Sequence, residues 1–325
     1  MQAIVYKKYG PPDVLQLKEI EKPIPKDNEI LIKVHAAEVT KSDCEMRSFK
    51  FAVKWFWLPL RLALGITKPR RQILGGYFAG EVEAVGKNVL KFQSGDQVFG
   101  CAGLRMGCYS EFICLPDNYT IVSKPNNINF AQAAAVPLGG LNALHFMKKA
   151  NILSGQTVLI NGAGGSIGTF AVMLAKHMGA QVTAVDSAIK EGMLRRIGAD
   201  HFIDYNKNDF TKSGKSYDVI FDMVSGNSYS ACVNTLKPKG CYLMANPRLS
   251  DMLRSVITSN FTHKNVIFAF AGEKEAELLE LKQMIEQEKI EAIVDKVYPM
   301  DQVVQAHRRV ETEQRLGPVV LSLVS

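Results

Sequence analysis

The stretch VLINGAGGSIGTFAVMLAKHMGAQVTAVDS, residues 158–187, constrains this chain more than any other. A short apolar strand ends at Asn161, and a turn runs Gly162-Ala163-Gly164-Gly165-Ser166-Ile167-Gly168. A helix opens directly from that turn, and a second apolar strand closes on Asp186. Two short apolar strands joined through a helix read as a parallel pair, because a parallel connection needs a crossover of that length. The small residues Ala163, Gly165 and Gly168 stand at A-x-G-x-x-G spacing. They let the backbone turn sharply and let a diphosphate approach the helix N-terminus, where free N–H groups and the helix dipole favour negative charge. A bare glycine triplet is weak evidence; inside a complete βαβ unit it predicts dinucleotide binding.

The alternation continues beyond this unit. HFIDY, YDVIFDMV, GCYLMAN and NVIFAFAG are short apolar runs separated by helical or polar pieces, the pattern of parallel strands covered on both faces. NFAQAAAVPLGGLNALHFMKKAN reads as helical on both sides of Pro137, which should break or kink it. EKEAELLELKQMIEQEKI is an amphipathic helix. The first 120 residues or so differ: AIVYKKYG, EILIKVHAAEV, GEVEAVG, KFQSGDQVFG and YSEFICLP are β-rich and bounded by turn signals, which predicts a mostly antiparallel domain. The tail reads strand, helix, strand and is expected to return to that first domain. The fold class is α/β in two domains, which suits 325 residues. The expected limits are 1–123 for the β-rich catalytic domain, 124–291 for the doubly wound parallel sheet that holds the cofactor, and 292–325 for the returning segment.

Asp186 ends the second strand, 18 residues past Gly168. An acid there usually accepts from the ribose 2′-OH of NAD and repels a 2′-phosphate. Ser187, Lys190, Arg195, Arg196 and Tyr205 lie near it in sequence, and several could bind that phosphate. The two arginines read as solvated helix surface. NADH and NADPH both stay open as the cofactor.

A formal net charge of +7 suits an acidic partner or a solvated basic surface. Apart from KPRR at Lys68 to Arg71 the positive residues read as scattered, so the solvated surface is the better reading and nucleic acid is not an expected partner. The six cysteines form no CxxC pair, and MQAIVYKKYG has no signal-peptide pattern, so reduced thiols in a cytoplasm are expected. WFWLPLRLALGI, Trp55 to Ile66, is too short to span a bilayer and contains Pro59 and Arg61. It reads as a local cap or packing element, with no membrane expected.

In their order, MQAIVYKKYGPPDVLQL, GGYFAGEVEAVGKNVLKFQSGDQVFG, the A-x-G-x-x-G unit, AAAVPLGGLNAL and LGPVVLSL resemble the medium-chain dehydrogenase/reductase superfamily, in its zinc-independent, zeta-crystallin-like quinone oxidoreductase branch. The resemblance covers essentially the whole chain. It implies a GroES-like catalytic domain, a Rossmann cofactor domain, a homodimer, and NAD(P)H-linked reduction of quinones, enals or enones. It also implies that Asn142 contacts the cofactor's ribose or phosphate. Metal-binding members carry a cysteine in the segment matching VTKSDCEM, where this chain has Thr40, Lys41, Ser42 and Asp43, with Cys44 just beyond. They carry a His-Glu pair where Gly76 and Tyr77 stand, and a third ligand near Pro137 and Leu138. Cys101, Cys108 and Cys114 are too widely spaced for a four-cysteine lobe. Zinc needs three protein ligands in a catalytic site and four in a structural one, so no zinc is expected.

Without a metal, hydrogen-bond donors must stabilise the charge that develops on the substrate oxygen. The candidates are the Thr40 hydroxyl and the Tyr77 phenol, with Asp43 orienting one of them; as structural alternatives, Thr40 caps a turn, Tyr77 is a packed aromatic and Asp43 caps the following helix. Zinc-free relatives often have Asn at the position of Thr40 and an acid at that of Tyr77. Phe49, Phe51, Trp55, Phe56 and Trp57 could wall an apolar slot for a flat substrate, or simply pack. A competing function is a cofactor-binding sensor or structural protein with little turnover, linked to RNA.

Overall fold

One long strand organises the β-rich part of the chain. In the computed structural model, which describes residues 1–51, 57–269 and 272–324, β3 spans Glu29–Val39 and is buried along most of its length. Its β-branched first half pairs on one side with β4 (Tyr77–Val85) and on the other with β6 (Phe112–Pro116), both antiparallel. β4 continues to β5 (Gln97–Cys101) and β5 to β7 (Ile121–Ser123). The tail strand β15 (Val319–Ser322) pairs with the second half of β3, Val319 opposite Val39, and carries β14 (Lys296–Pro299) in parallel beside it. The chain end therefore supplies part of the same sheet, as the strand-helix-strand pattern indicated. The ribbon of β1 (Gln2–Val5) and β2 (Gln16–Glu19) stands apart from this sheet.

The chain divides into two units, Met1–Leu138 with Glu273–Ser325, and Gly139–Gly272. The limits drawn from the sequence were 123 and 291. The amphipathic helix α9 (Glu275–Glu286) and the short α3 (Phe130–Ala134) group with the β-rich unit. Polar ties hold α9 and its approach there: Asn127 Nδ2 donates to Ile285 O at 2.8 Å, and Thr120 Oγ1 to Glu273 O at 3.0 Å. Pro137 sits in the first turn of α4 (Val136–Ala150), where its missing N–H costs nothing, and the helical run is interrupted just before it.

The second unit is a six-stranded parallel sheet. Its strands are β8 (Thr157–Asn161), β9 (Gln181–Asp186), β10 (His201–Asp204), β11 (Tyr217–Asp222), β12 (Leu236–Met244) and β13 (Asn265–Phe268), in the spatial order β10-β9-β8-β11-β12-β13. The first strand lies in the middle and the order reverses between β8 and β11. In such sheets a ligand binds outside the carboxyl ends of the strands at that switch point. The sheet carries α5 (Ser166–His177), α6 (Glu191–Arg196), α7 (Tyr229–Asn234) and α8 (Leu249–Phe261). Phe170, Ala171 and Leu174 bury the inner face of α5.

In the β-rich unit a polar clamp joins α1 (Lys41–Ser48) to α10 (Val303–Glu311). The Arg47 guanidinium, 1% exposed, donates to Gly10 O at 3.1 Å, meets His307 Nδ1 at 3.1 Å and pairs with Glu311. A guanidinium only donates, so Nδ1 must accept and the ring proton sits on Nε2. That Nε2 is buried without a partner among the described residues. Burial, and then the Arg47 charge, push the imidazole down to about 3 from 6.5. An unfolded chain therefore takes up a proton near 6.5 that the folded chain refuses until about 3. The expected outcome is a melting temperature that falls as pH drops from 6.5 towards 3, beyond the general acid loss, with a flatter profile in His307→Phe. Parallel profiles for the two proteins across that window would sink the assignment.

Candidate active site

The turn after β8 is shaped by its glycines. Gly162 takes φ +86°, and its N–H and that of Ala163 donate to Val185 O at 3.0 and 3.2 Å. The turn is thereby pinned across to β9. A Cβ at Gly168 would stand 2.3 Å from Gly162 O and 2.5 Å from Ala163 O, so the helix meets the turn at a distance only glycine permits. At Gly165, the N-cap of α5, a Cβ would find only Gly162 O, at 3.7 Å. The space in front of the helix N-terminus is open, which is what a diphosphate requires. Ser166 begins the helix, buried, and Ile167 is half-buried. Asn142 is half-buried on α4. The turn and the open helix N-terminus fit the pyrophosphate of a dinucleotide.

Asp186, Ser187 and Lys190 come together as one network, but they face inward. Asp186 Oδ2 accepts from Gly164 N at 2.7 Å; Oδ1 accepts from Ser187 N at 2.8 Å and pairs with Lys190 Nζ at 2.9 Å. Asp186 and Lys190 are both buried, 5% and 4% exposed. A Cβ on Gly164 would collide with the Lys190 side chain at 2.3 Å. The acid expected to hold a ribose accepts here from the Gly164 N–H of the turn, and the lysine that was a candidate for a 2′-phosphate pairs with it. Tyr205 is 56% exposed, with its N–H on Asp186 O at 3.3 Å.

Beside this turn lies a second carboxylate that the sequence reading did not single out. Asp222 ends β11 and accepts from Asn161 Nδ2 (2.9 Å), Asn227 Nδ2 (3.0 Å), Val224 N (3.0 Å) and Tyr242 OH (2.9 Å). Burial pushes its carboxyl up, against the pull of those donors. It ties the ends of β8, β11 and β12 together at the switch point, and Val224 then lies where a Cβ on Gly162 would meet it at 3.2 Å. Its signal in the sequence was a polar residue closing an apolar strand.

In the β-rich unit Thr40 and Asp43 form a closed pair. Thr40 is the N-cap of α1: its Oγ1 accepts from Asp43 N at 3.0 Å and donates to Asp43 Oδ2 at 2.6 Å. Asp43 Oδ2 also accepts from Thr40 N at 2.9 Å, and Oδ1 from Gly75 N at 3.1 Å. The single hydroxyl proton of Thr40 is therefore committed, and both residues are buried, 2% and 1% exposed. Burial pushes the Asp43 carboxyl up. Through Gly75 N this carboxylate fixes the backbone just before Gly76 and Tyr77. Tyr77 is half-buried at the start of β4, and its hydroxyl has no hydrogen bond among the described residues. Burial raises the phenol well above 10, and the Cys101, Glu273 and Glu38 side chains add to that rise, so it stays a protonated donor. A Cβ at Gly76 would meet nothing within 4 Å, so there is open room beside it. Glu273, its carboxyl raised by burial, also escaped the sequence reading, since it lies far from Tyr77 along the chain and belongs to no motif.

The aromatics of the first unit pack together. Phe49 meets Tyr9, Phe51 and Trp57 edge-on with ring centres 5.0–6.0 Å apart, and the Arg61 guanidinium lies 4.1 Å from the centre of the Phe49 ring. Trp55 and Phe56, also expected in the slot, lie outside the described residues.

Comparison with known proteins agrees with this fold. Residues 26–126 match the alcohol dehydrogenase GroES-like domain, and residues 197–321 a family described as zinc-binding dehydrogenase. The chain is 30% identical to a 2-methylene-furan-3-one reductase of Solanum lycopersicum, over 99% of this chain and 79% of that protein. It is also 30% identical to an Arabidopsis thaliana NADPH-dependent alkenal/one oxidoreductase, chloroplastic, with the same two coverages. Among solved structures, the quinone oxidoreductase from Coxiella burnetii superposes with a TM-score of 0.87 at 29% identity, over 100% of this chain and 99% of that one. One description names zinc, and the residues present do not fit that ion: no three His, Cys, Asp or Glu side chains among the described residues converge as a ligand set.

The two glycines of the turn should separate binding from folding. In Gly165→Ala the added methyl enters open space, so the melting temperature should stay within about 3 °C while dinucleotide affinity falls about tenfold or more, as measured by titration. In Gly168→Ala the methyl strikes backbone, so both should fall. A Gly165→Ala protein with undiminished affinity would place the diphosphate elsewhere.

Proposed function

The chain belongs to the medium-chain dehydrogenase/reductase superfamily, in its zinc-independent, quinone oxidoreductase-like branch, and from that premise we propose which residues carry its reaction. It is an NAD(P)H-dependent reductase of quinones or α,β-unsaturated carbonyls. When bound, the reduced nicotinamide supplies the hydride. The turn Gly162–Gly168 and the N-terminus of α5 would hold its diphosphate, with Ser166, Ile167 and Asn142 alongside.

Tyr77 is the donor to the substrate oxygen. The observation that carries this reading is the contrast between two hydroxyls: that of Thr40 has its proton locked on Asp43 at 2.6 Å, whereas that of the half-buried Tyr77 is protonated and has no hydrogen bond among the described residues. Thr40 and Asp43 act as positioning residues, holding Gly75 and through it the start of β4. A conjugated substrate suits a phenol donor, because its π-system spreads the developing charge and no Lewis acid is needed. No zinc takes part in this scheme.

The finer features belong to the same proposal. A homodimer is supported by β13, which ends the parallel sheet, and by α8 beside it, whose Leu253 and Phe261 are 72% and 85% exposed. A cytoplasmic setting accords with six unpaired cysteines. No helix among the described residues is long and apolar enough to cross a membrane.

Tyr77→Phe should lower kcat for a quinone or enone by about 10²–10³-fold while the dinucleotide dissociation constant stays unchanged. Full turnover in that variant would remove the phenol from the chemistry. Asp186→Gly should release Lys190 and move the ratio of NADPH to NADH affinity towards NADPH, as read by titrating both cofactors. An unchanged ratio would mean that Lys190 cannot reach the adenosine ribose.

A further inference from the structure

The helix α2 (Trp57–Leu64) breaks the ordinary rule for a surface helix. Such a helix turns polar residues to water and apolar ones to the core. Here the exposed side consists of Leu58, Pro59, Leu62 and Ala63, with no polar group among them. Trp57, Leu58, Leu62 and, just past the helix, Ile66 are 48%, 60%, 54% and 59% exposed. The one charged residue of the helix, Arg61, is turned inward over the rings of Tyr9 and Phe49, 4.7 and 4.1 Å from their centres. The helix is not loosely attached: Tyr9 OH donates to Leu64 O at 3.0 Å and Gly65 O at 2.9 Å. An apolar face is therefore held outward by specific contacts on its other side.

Charge is concentrated on the same stretch. Between Glu45 and Glu81 there is no acidic residue and there are seven basic ones. The chain has 39 Lys and Arg against 32 Asp and Glu, so removing these seven leaves equal numbers and accounts for the whole excess of +7. The positive residues are thus less scattered than they first read. The chain turns back after α2, with Arg70 N on Leu64 O at 2.8 Å, which sets Lys68, Arg70 and Arg71, all exposed, at the C-terminal end of the apolar face.

We infer that α2 and the Lys68–Arg71 segment form a docking surface for an anionic phospholipid bilayer, α2 lying in the headgroup boundary with its leucines inward and the basic segment on the phosphates. Apolar residues with tryptophan beside Lys and Arg are the features that seat a helix in that interface. The contact is peripheral: eight residues make about 12 Å of helix against a hydrocarbon core of about 30 Å. The positive charge selects a lipid surface over a second copy of this chain, whose identical basic stretch would repel it. Nothing in this surface depends on which substrate is reduced.

The chain's two tryptophans, Trp55 and Trp57, both lie in this stretch of the sequence, so tryptophan emission, excited apart from the ten tyrosines, reports on it. The full-length protein would be mixed with vesicles of phosphatidylcholine, or of phosphatidylcholine with phosphatidylglycerol, and followed by co-sedimentation and tryptophan emission. Binding should be at least about tenfold tighter to the anionic vesicles, weaken at high salt and shift the emission to the blue. Leu58→Asp/Leu62→Asp should abolish it, and Lys68→Glu/Arg70→Glu/Arg71→Glu should weaken it about tenfold or more, both with wild-type melting temperatures. The lipid and salt comparisons on the unaltered protein stand even if a variant fails to fold. Absence of binding, or equal binding to neutral vesicles, overturns the inference. So does self-association that Leu58→Asp/Leu62→Asp dissolves in a protein that ignores vesicles.

Discussion

A helix N-terminus left open in front of Gly165 is the constraint on which the second unit depends. Its unpaired N–H groups attract an anion only if nothing of the protein fills the space before them. The turn that presents them must then be held from behind. Val185 O takes two of its N–H groups and the Asp186 carboxylate a third, while the Asp222 carboxylate ties the ends of three neighbouring strands. Buried carboxylates are costly to desolvate, and both are compensated by several donors. They act as fasteners for a turn that must stay both rigid and empty.

The same device recurs in the β-rich unit. Asp43 gathers Thr40 and Gly75 and so joins the start of α1 to the strand that carries Tyr77. By taking the Thr40 proton it leaves the Tyr77 hydroxyl as the one of these two without a hydrogen bond among the described residues. Arg47 and His307 then bind α1 to the tail helix α10, and the tail strand completes the sheet beside Val39. The last thirty-odd residues are thus structural for the catalytic unit, which is why the chain returns to it after building the parallel sheet.

Much of this was legible beforehand because it follows from local rules. The glycine spacing, the alternation of short apolar strands with helices, the antiparallel first part and the returning tail each depend on residues close together in the chain, and the structure shows each of them. The contacts of Asp186 were not legible: an acid at the end of that strand is compatible with a ribose and with a backbone N–H, and the approach of Gly164 and Lys190 to it depends on how the turn folds back. The exposure of α2 was also hidden, since WFWLPLRLALGI reads equally as a packing element until Leu58 and Leu62 are seen to face water.

By itself the sequence determined the fold class and the glycine-bounded turn between the first parallel strand and its helix, because both are written in residue type and spacing over a few dozen positions. Only the tertiary structure decided which hydroxyl keeps a free proton, which carboxylates face inward, and which apolar face stays outside. Those outcomes depend on partners far apart along the chain, such as Asp43 with Gly75 and Arg47 with His307, whose meeting no local pattern announces.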